Sequence, residues 1–404
     1  MRNQELSEQT DLCVKCGLCL PHCPTYRLSA DENESPRGRL SLIQGWARAE
    51  LEADEKLLAH TRQCVLCRAC EAVCPAYVPY GSIMDRFRSL NPLPDNAQTQ
   101  DQKTRMTLVQ QTLDGPFKRL LQGASRSGSL RKAADLLGYG DLTQGLPEPN
   151  NDTLPAAGLH PAKGPSLGKV QLFMGCTVEM LDLATARSAV TLLTAMGYEV
   201  EIPRTQTCCG ALDLHAGRHA AALSKSEQNQ TAFGAEETTP VVSFASGCAS
   251  TFRDLSPSAN PSSLGARMED ISAFIARAPG RERLQFRALE TTVCLHSPCT
   301  LKHVLKADRF AGELLRTCLE APITALPKSS GCCGAAGSYM IEHPETSRAL
   351  QREVVDAIVA SGATLLVTSN PGCASHLRSG VRERGLNDME VLHPITLLAR
   401  QLEA

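Results

Sequence analysis

Aromatic residues make up only 4% of this 404-residue chain, and Trp46 is its single tryptophan. A core must therefore be built mainly from aliphatic side chains. No apolar run approaches the ~20 residues needed to cross a bilayer as a helix, so membrane contact is expected to be peripheral or through another subunit. Charge is nearly balanced, 41 Lys and Arg against 43 Asp and Glu, which offers no basic surface to nucleic acid. The first residues, Met1-Arg2-Asn3-Gln4-Glu5, have neither a basic n-region nor an apolar h-region. The expectation is a cytoplasmic, reducing compartment in which thiols stay free of disulfides. No G-x-G-x-x-G after a strand, no P-loop and no nucleophile elbow occurs. A flavin, nicotinamide or nucleotide site is not expected in this chain, nor are catalytic residues of its own.

Cysteine is what the chain has in excess, with 18 in all. Eight of them form two copies of one spacing: Cys13, Cys16, Cys19, Cys23 and Cys64, Cys67, Cys70, Cys74, closed by Pro24 and Pro75. Subtraction gives 51 at every position (64−13, 67−16, 70−19, 74−23), so the segment is an internal duplication. C-x2-C-x2-C-x3-C-P is the run of a bacterial ferredoxin holding two [4Fe-4S] clusters. The x2 gaps let one turned loop offer three thiolates, and the fourth crosses to the other cluster. That rule assigns Cys13, Cys16, Cys19 and Cys74 to cluster 1, and Cys64, Cys67, Cys70 and Cys23 to cluster 2. The prolines lack an N–H and help to end each loop. Paired C-x2-C elements also build four-cysteine zinc sites, which is the competing reading.

Eight further cysteines form a second duplication: Cys176, Cys208, Cys209, Cys248 and Cys299, Cys332, Cys333, Cys373. The offsets are 123, 124, 124 and 125 (299−176, 332−208, 333−209, 373−248). Cys208-Cys209-Gly210 repeats as Cys332-Cys333-Gly334. Two homologous modules of roughly 120 residues follow. Within them, Lys169–Met174, Tyr198–Ile202 and Val241–Phe244 read as strands, as do Thr291–Leu295, Ile323–Ala325 and Leu365–Thr368. Helical spacing runs over Glu179–Met196 and from about Pro344 to Ala360. The cysteines fall just beyond strand ends, where open α/β sheets place their ligand sites. Adjacent cysteines are held in poor disulfide geometry by the peptide between them. They can instead face one metal centre if the following glycine turns the loop, or they can be ordinary small buried residues.

The fold expected is mixed. A mainly helical, two-cluster ferredoxin-like domain (residues 1–90) precedes a helical connector and Pro/Gly-rich linker (91–168). Two α/β cysteine-rich modules (169–285 and 286–404) follow. Short helices are expected near Met106–Leu113 and Phe117–Leu121, and the stretch from Gly145 to Gly168 reads as an extended linker. Cys318 reads as core, Cys294 as core or an accessory ligand, and His296 and His303, which flank Cys299, as structural or as tuning or protonating a group near it. Arg37 and Arg39, between the ferredoxin runs, could hold a partner interface, set the field near a cluster, or be ion-paired or solvated.

The modules resemble the cysteine-rich domains of heterodisulfide reductases, lactate-utilisation proteins, and the iron-sulfur subunits of glycolate oxidase and anaerobic glycerol-3-phosphate dehydrogenase. Two ferredoxin runs before two such modules match the last two. Glu34-Ser35-Pro36-Arg37-Gly38-Arg39-Leu40 is similar to the SPRGR-type segment of the glycolate oxidase iron-sulfur subunit. The chain departs from the heterodisulfide reductase pattern, where each module ends in C-x2-C; here the last position is Thr251 or His376. Four cysteines per module remain, for a cluster, a zinc or nothing, with His376 a candidate fifth ligand.

The resemblance implies electron transfer from FAD-containing glycolate oxidase subunits, which convert glycolate to glyoxylate, to a quinone-type acceptor. The complex would lie on the inner face of the cell membrane. Alternatives are a D-lactate, glycerol-3-phosphate or heterodisulfide-reductase-like complex, and a zinc-stabilised scaffold.

Overall fold

The computed structural model describes residues 1–92, 98–114, 118–149, 153–234, 238–256, 260–327 and 331–403. The N-terminal part is helical: α1 (Gln4–Asp11), α2 (Pro24–Ser29), α3 (Pro36–Ala47), α4 (Glu55–Arg62), α5 (Ala69–Ala72) and α6 (Tyr80–Leu90). Local chemistry starts several of them. Asn3, Ser35 and Asp54 each cap a helix by accepting a backbone N–H, from Leu6, Gly38 and Leu57. Pro24 and Pro36 occupy first turns, where a missing N–H costs nothing. Leu6, Leu40, Ile43, Trp46, Ile83, Met84 and Phe87 close a core that includes Cys64 and Cys70. Trp46 and Phe87 meet edge to face at 5.2 Å.

Helices Gln100–Asp114, Lys118–Arg126 and Ser129–Leu136 form the connector; Phe117 lies outside the described residues. The segment after them is less free than its Pro/Gly content suggests. Arg378 and Arg382 donate to the carbonyls of Gly145, Gln144 and Leu146, pinning it to the second module. Its Gly158–His160 stretch is a strand, β1, antiparallel to Tyr198–Ile202.

The first module holds β2 (Gly168–Phe173), β3 (Tyr198–Ile202), β4 (Val241–Ser243) and β5 (Met268–Asp270), in sheet order β1-β3-β2-β4-β5. The second repeats this with β6 (Val293–His296), β7 (Ile323–Ala325), β8 (Leu365–Thr368) and β9 (Glu390–Leu392), in order β7-β6-β8-β9. Apart from β1, neighbouring strands are parallel. Pro344–Ala360 is one helix, whereas the helix expected from Glu179 to Met196 breaks at Asp182 into Val178–Leu181 and Leu183–Met196. One aliphatic core joins the modules, drawing Leu172, Leu192 and Ile271 from the first and Leu314, Val367 and Ile395 from the second. Each such side chain contributes roughly 1.5–3 kcal/mol on full burial, so the modules fold against each other.

In both sheets the first parallel strand is central, with its two successors on either side. That is a topological switch point, where a crevice opens beyond the carboxyl ends of the strands. Cys176 and Cys299 follow the central strands, Cys208-Cys209 and Cys332-Cys333 follow one neighbour, and Cys248 and Cys373 follow the other.

Candidate iron-sulfur sites

The two ferredoxin loops share an unusual backbone. Lys15 and Gly17 have φ of 57° and 84°, and Leu66 and Arg68 have φ of 50° and 58°, at positions related by the same offset of 51 (66−15, 68−17). Left-handed backbone at both places turns the loop so that three cysteines face one side. The first loop uses a glycine at the second place, whereas the second loop accepts the strain at Arg68. Ion pairs hold that arginine, to Glu71 and across to Asp254 of the first module at 2.7 Å.

Each loop walls a cavity, and each cavity receives a cysteine from the other loop. One is lined by Cys13, Cys16, Cys19 and Cys74, together with Pro36, Arg37 and Ala76. The other is lined by Cys23, Cys64 and Cys67, with Thr25, Arg68 and Tyr80. Cys70 stands between them and, with Pro36 and Tyr80, borders both. Among the described residues, no three His, Cys, Asp or Glu side chains are arranged to hold a single metal ion. The sulfurs surround a space instead.

The cavities differ in their surroundings. Around the first, Cys16 is exposed and Cys13, Cys19 and Cys74 are half-buried. Its rim carries apolar side chains in water, Val14 at 70% exposure and Leu18 at 56%, with Tyr77 beyond Ala76 at 87%. Around the second, all of Cys23, Cys64, Cys67 and Cys70 are buried. Burial pushes the Cys67 and Cys70 thiols well up. Thiolates there require positive charge beside them, which an iron-sulfur core supplies.

Arg37 and Arg39 have separate fates. Arg37 lies at the first cavity, partly exposed, paired with Glu32 at 2.7 Å and donating to the Lys15 carbonyl. Arg39 is 0% exposed, which excludes it from a partner interface. Its guanidinium pairs with Glu34, donates to Thr25 Oγ1 at 3.0 Å and to the His60 carbonyl at 2.8 Å, and interacts electrostatically with Cys64 and Cys23.

In the first module the four thiols form a chain of neighbours: Cys176 beside Cys208, Cys208 beside Cys209, and Cys209 beside Cys248. The second repeats it as Cys299, Cys332, Cys333 and Cys373, with 3.1 Å between the Cys333 and Cys373 sulfurs. Hydrogen bonds from Cys176 and Cys209 pull Cys208 down, while those with Cys208 and Cys248 push Cys209 up. The glycine after each pair explains the turn. Gly210 and Gly334 have φ of 83° and 87°, and their N–H groups donate to Cys208 and Cys332 Sγ at 3.5 and 3.4 Å.

The remaining candidates lie outside the two chains of thiols. His376 is buried, with Nε2 at 3.1 Å from Ser347 Oγ and Nδ1 at 3.4 Å from Gln351 Nε2. Ser347 in turn donates to the Gly334 carbonyl, so His376 braces the Cys-Cys-Gly turn. Thr251 donates back to Gly247 within its helix. His296 bonds Thr368 Oγ1 at 2.8 Å across β6 and β8, and burial lowers His303 to about 4. Cys294 is fully buried in β6, and Cys318 is half-buried against the shared core.

The sequence alone did not show how the parts adjoin. Cys67 shares an apolar cluster with Cys332, Tyr339 and Leu350, and Cys299 packs against it. Thr300–Leu305, directly after Cys299, is a π-helix, a form concentrated at functional sites. Thr300 meets Ser246 of the first module at 2.9 Å, and Ser246 N donates to the Ser369 carbonyl. The second module's quartet thus adjoins the buried ferredoxin cavity, and the Cys248 and Cys373 loops touch each other. No periodicity signals such contacts.

Residues 9–78 match the 4Fe-4S dicluster domain, and residues 170–253 and 293–378 each match the cysteine-rich domain. The probable glycolate oxidase iron-sulfur subunit of Bacillus subtilis is 29% identical over 93% of this chain and 90% of its own length. The glycolate oxidase iron-sulfur subunit of Escherichia coli is 28% identical over 97% and 94%. Lactate utilization protein A of Macrococcus caseolyticus is 28% identical over 58% of this chain and 98% of its own. No helix among the described residues is long and apolar enough to cross a membrane. The chain is thus an iron-sulfur protein homologous to the glycolate oxidase iron-sulfur subunits, built from a 4Fe-4S dicluster domain and a duplicated cysteine-rich domain.

Proposed function

We propose that this chain is the electron-carrying subunit of a glycolate-oxidising complex at the inner face of the cell membrane, passing electrons from an FAD-containing partner toward a quinone-type acceptor. The observation that carries this reading is the pair of adjoining cavities, each lined by three cysteines of one ferredoxin loop and the fourth of the other. Cys13, Cys16, Cys19 and Cys74 would hold one [4Fe-4S] cluster, and Cys23, Cys64, Cys67 and Cys70 the second. Each cluster supplies a place to store one electron. The protein fixes their spacing, and its burial and hydrogen bonds set how readily each accepts charge.

The exposed cavity with its rim of Val14, Leu18 and Tyr77 is where the flavin partner docks, because exposed apolar groups around an accessible site mark an interface. The buried cavity leads to Cys299 and Cys332, so the second module is the exit side. The quartets Cys176, Cys208, Cys209, Cys248 and Cys299, Cys332, Cys333, Cys373 are the candidate sites beyond it. Similarity to a lactate utilization protein supports a second reading, in which D-lactate is the electron source. The resemblance to anaerobic glycerol-3-phosphate dehydrogenase and heterodisulfide reductase leaves glycerol 3-phosphate or a thiol/disulfide couple as further sources.

The test is iron, sulfide and zinc per anaerobically purified chain, followed by mixing with the flavin subunit and each substrate in turn. About eight iron and eight sulfide, with bleaching of the clusters by glycolate, is the expected result. Bleaching by D-lactate alone would move the assignment to the second reading. Zinc without sulfide would replace electron transfer with a structural role.

A further inference from the structure

The buried cavity presents an electrostatic problem. Cys64 and Cys70 belong to a core of Leu40, Ile43, Val78, Ile83, Met84 and Phe87, and adding an electron in such surroundings is opposed by the lack of water. Something must offset that penalty if the inner site is to take electrons from the outer one. Arg39 is close, but Glu34 lies against it and cancels most of its charge at a distance. Thr25 is also close, at 3.4 Å from Cys23 Sγ, but its proton is directed to the Glu34 carbonyl at 3.1 Å. Leu66 N–H donates to Cys64 Sγ at 3.4 Å and the Ala69 N–H donates to Cys67, both contacts of the loop itself.

Tyr80 remains. It opens α6, is 3% exposed, and donates its hydroxyl to Cys64 Sγ across 3.6 Å. Among the described residues no hydroxyl is placed in this way on Cys13, Cys16, Cys19 or Cys74; Cys19 is met instead by the Arg37 backbone N–H. We propose that Tyr80 is a positioning residue for electron flow, its hydroxyl holding the inner site at a higher reduction potential than its burial alone would allow. A donor hydrogen bond to a ligand sulfur stabilises the reduced, more negative state more than the oxidised one. Electrons arriving at the solvent-exposed site are thereby drawn inward.

The inference rests on the proposed holding of a cluster by Cys23, Cys64, Cys67 and Cys70, which iron and sulfide content of the wild-type chain checks separately. The experiment is a redox titration followed by electron paramagnetic resonance on wild type and Tyr80→Phe, with Cys16→Ser used to identify the inner signal. Tyr80→Phe keeps the ring in the core and removes the donor. The expected result is an about tenfold fall in the reduced-to-oxidised ratio of the inner site at its former midpoint, about 59 mV for one electron, with the outer signal unmoved. No shift, or equal shifts in both signals, would overturn the proposal. Should Tyr80→Phe not take up iron, 3-fluorotyrosine at position 80 carries the test. Its hydroxyl is a stronger donor of nearly the same shape, so the inner midpoint rises if the proposal holds and stays put if it does not.

Discussion

The two ferredoxin loops share one spacing and one pattern of left-handed backbone, but they occupy opposite environments. Cys16 in the first loop is exposed, whereas Cys64, Cys67 and Cys70 in the second are all buried. The cysteine-rich modules repeat the contrast more gently: Cys248 is half-buried and its counterpart Cys373 is buried. The more buried members of the two duplications face each other, Cys67 against Cys332 and Cys299. Duplication thus supplied two copies of one cysteine loop, and packing left one copy at the surface and buried the other. A motif determines what can be bound, while its neighbours determine what the bound group does.

The largest effect expected from breaking this contrast comes from comparing Cys16→Ser with Cys67→Ser. Each removes one thiolate of a proposed four-thiolate site, so if both sites hold clusters each chain retains about half of the wild-type iron. Cys67 also belongs to the apolar cluster that joins the ferredoxin part to the second module. Its loss should lower the thermal midpoint substantially and expose that junction to protease, whereas Cys16→Ser should melt close to wild type. Equal melting and equal protease resistance would mean that the buried loop is no more tied to the modules than the exposed one.

A smaller effect distinguishes the modules. An added Cβ at Gly334 would run into the Ser347 carbonyl oxygen, whereas at Gly210 it would meet the Ala222 Cα at 3.0 Å. Both positions have positive φ, so alanine incurs the left-handed strain at each, and overpacking is added at Gly334. Gly334→Ala should cost roughly 2–4 kcal/mol and Gly210→Ala roughly 1–2 kcal/mol. Denaturant unfolding of the two variants, followed by hydrogen exchange in each module, measures the difference.

The parts legible in the sequence are those that cysteine chemistry fixes. A thiolate cannot be exchanged for another residue without changing what is held, so both duplications survive as spacings, and strands β3, β7 and β8 begin and end where their apolar runs do. Strands β5 and β9 were not legible, because three residues each are too few for a period, and β1 lay within a segment whose prolines and glycines suggest a free linker. The difference between the loops was invisible for another reason. Burial of Cys67 depends on Tyr339 and Leu350, far along the chain, and no local pattern encodes that. Arg39 shows the same limit: its charge left an interface, a place near a cluster, an ion pair and solvation all open, and only the fold shows Glu34, Thr25 and the His60 carbonyl making a buried, ion-paired position tolerable.

The smallest expected effect is a pH dependence of opposite sign in the two modules. In the second, burial lowers His296 to about 4 and His393 to about 3. A histidine near 6.5 when unfolded then costs nothing above that value. Below it, the unfolded chain takes up protons that the folded one refuses, so stability falls from about pH 6.5 to pH 4. In the first module burial raises Asp182 and Asp270 to about 7. An unfolded aspartate ionises near 3.9, so between about pH 4 and pH 7 the unfolded state loses protons the folded state keeps. Stability there falls as pH rises and returns on acidification. Each group contributes at most about 1.4 kcal/mol per pH unit. Hydrogen exchange at pH 5 and pH 7.5, corrected for intrinsic rates, should show protection falling around β6 and β9 on acidification and rising around β5. His393→Asn sharpens the comparison. His393 Nδ1 accepts the Ile395 N–H as a helix cap, a role asparagine can fill without titrating. The variant should therefore lose part of the acid sensitivity near β9 while leaving β5 unchanged, and an unaltered acid response near β9 would show that His393 is not its source.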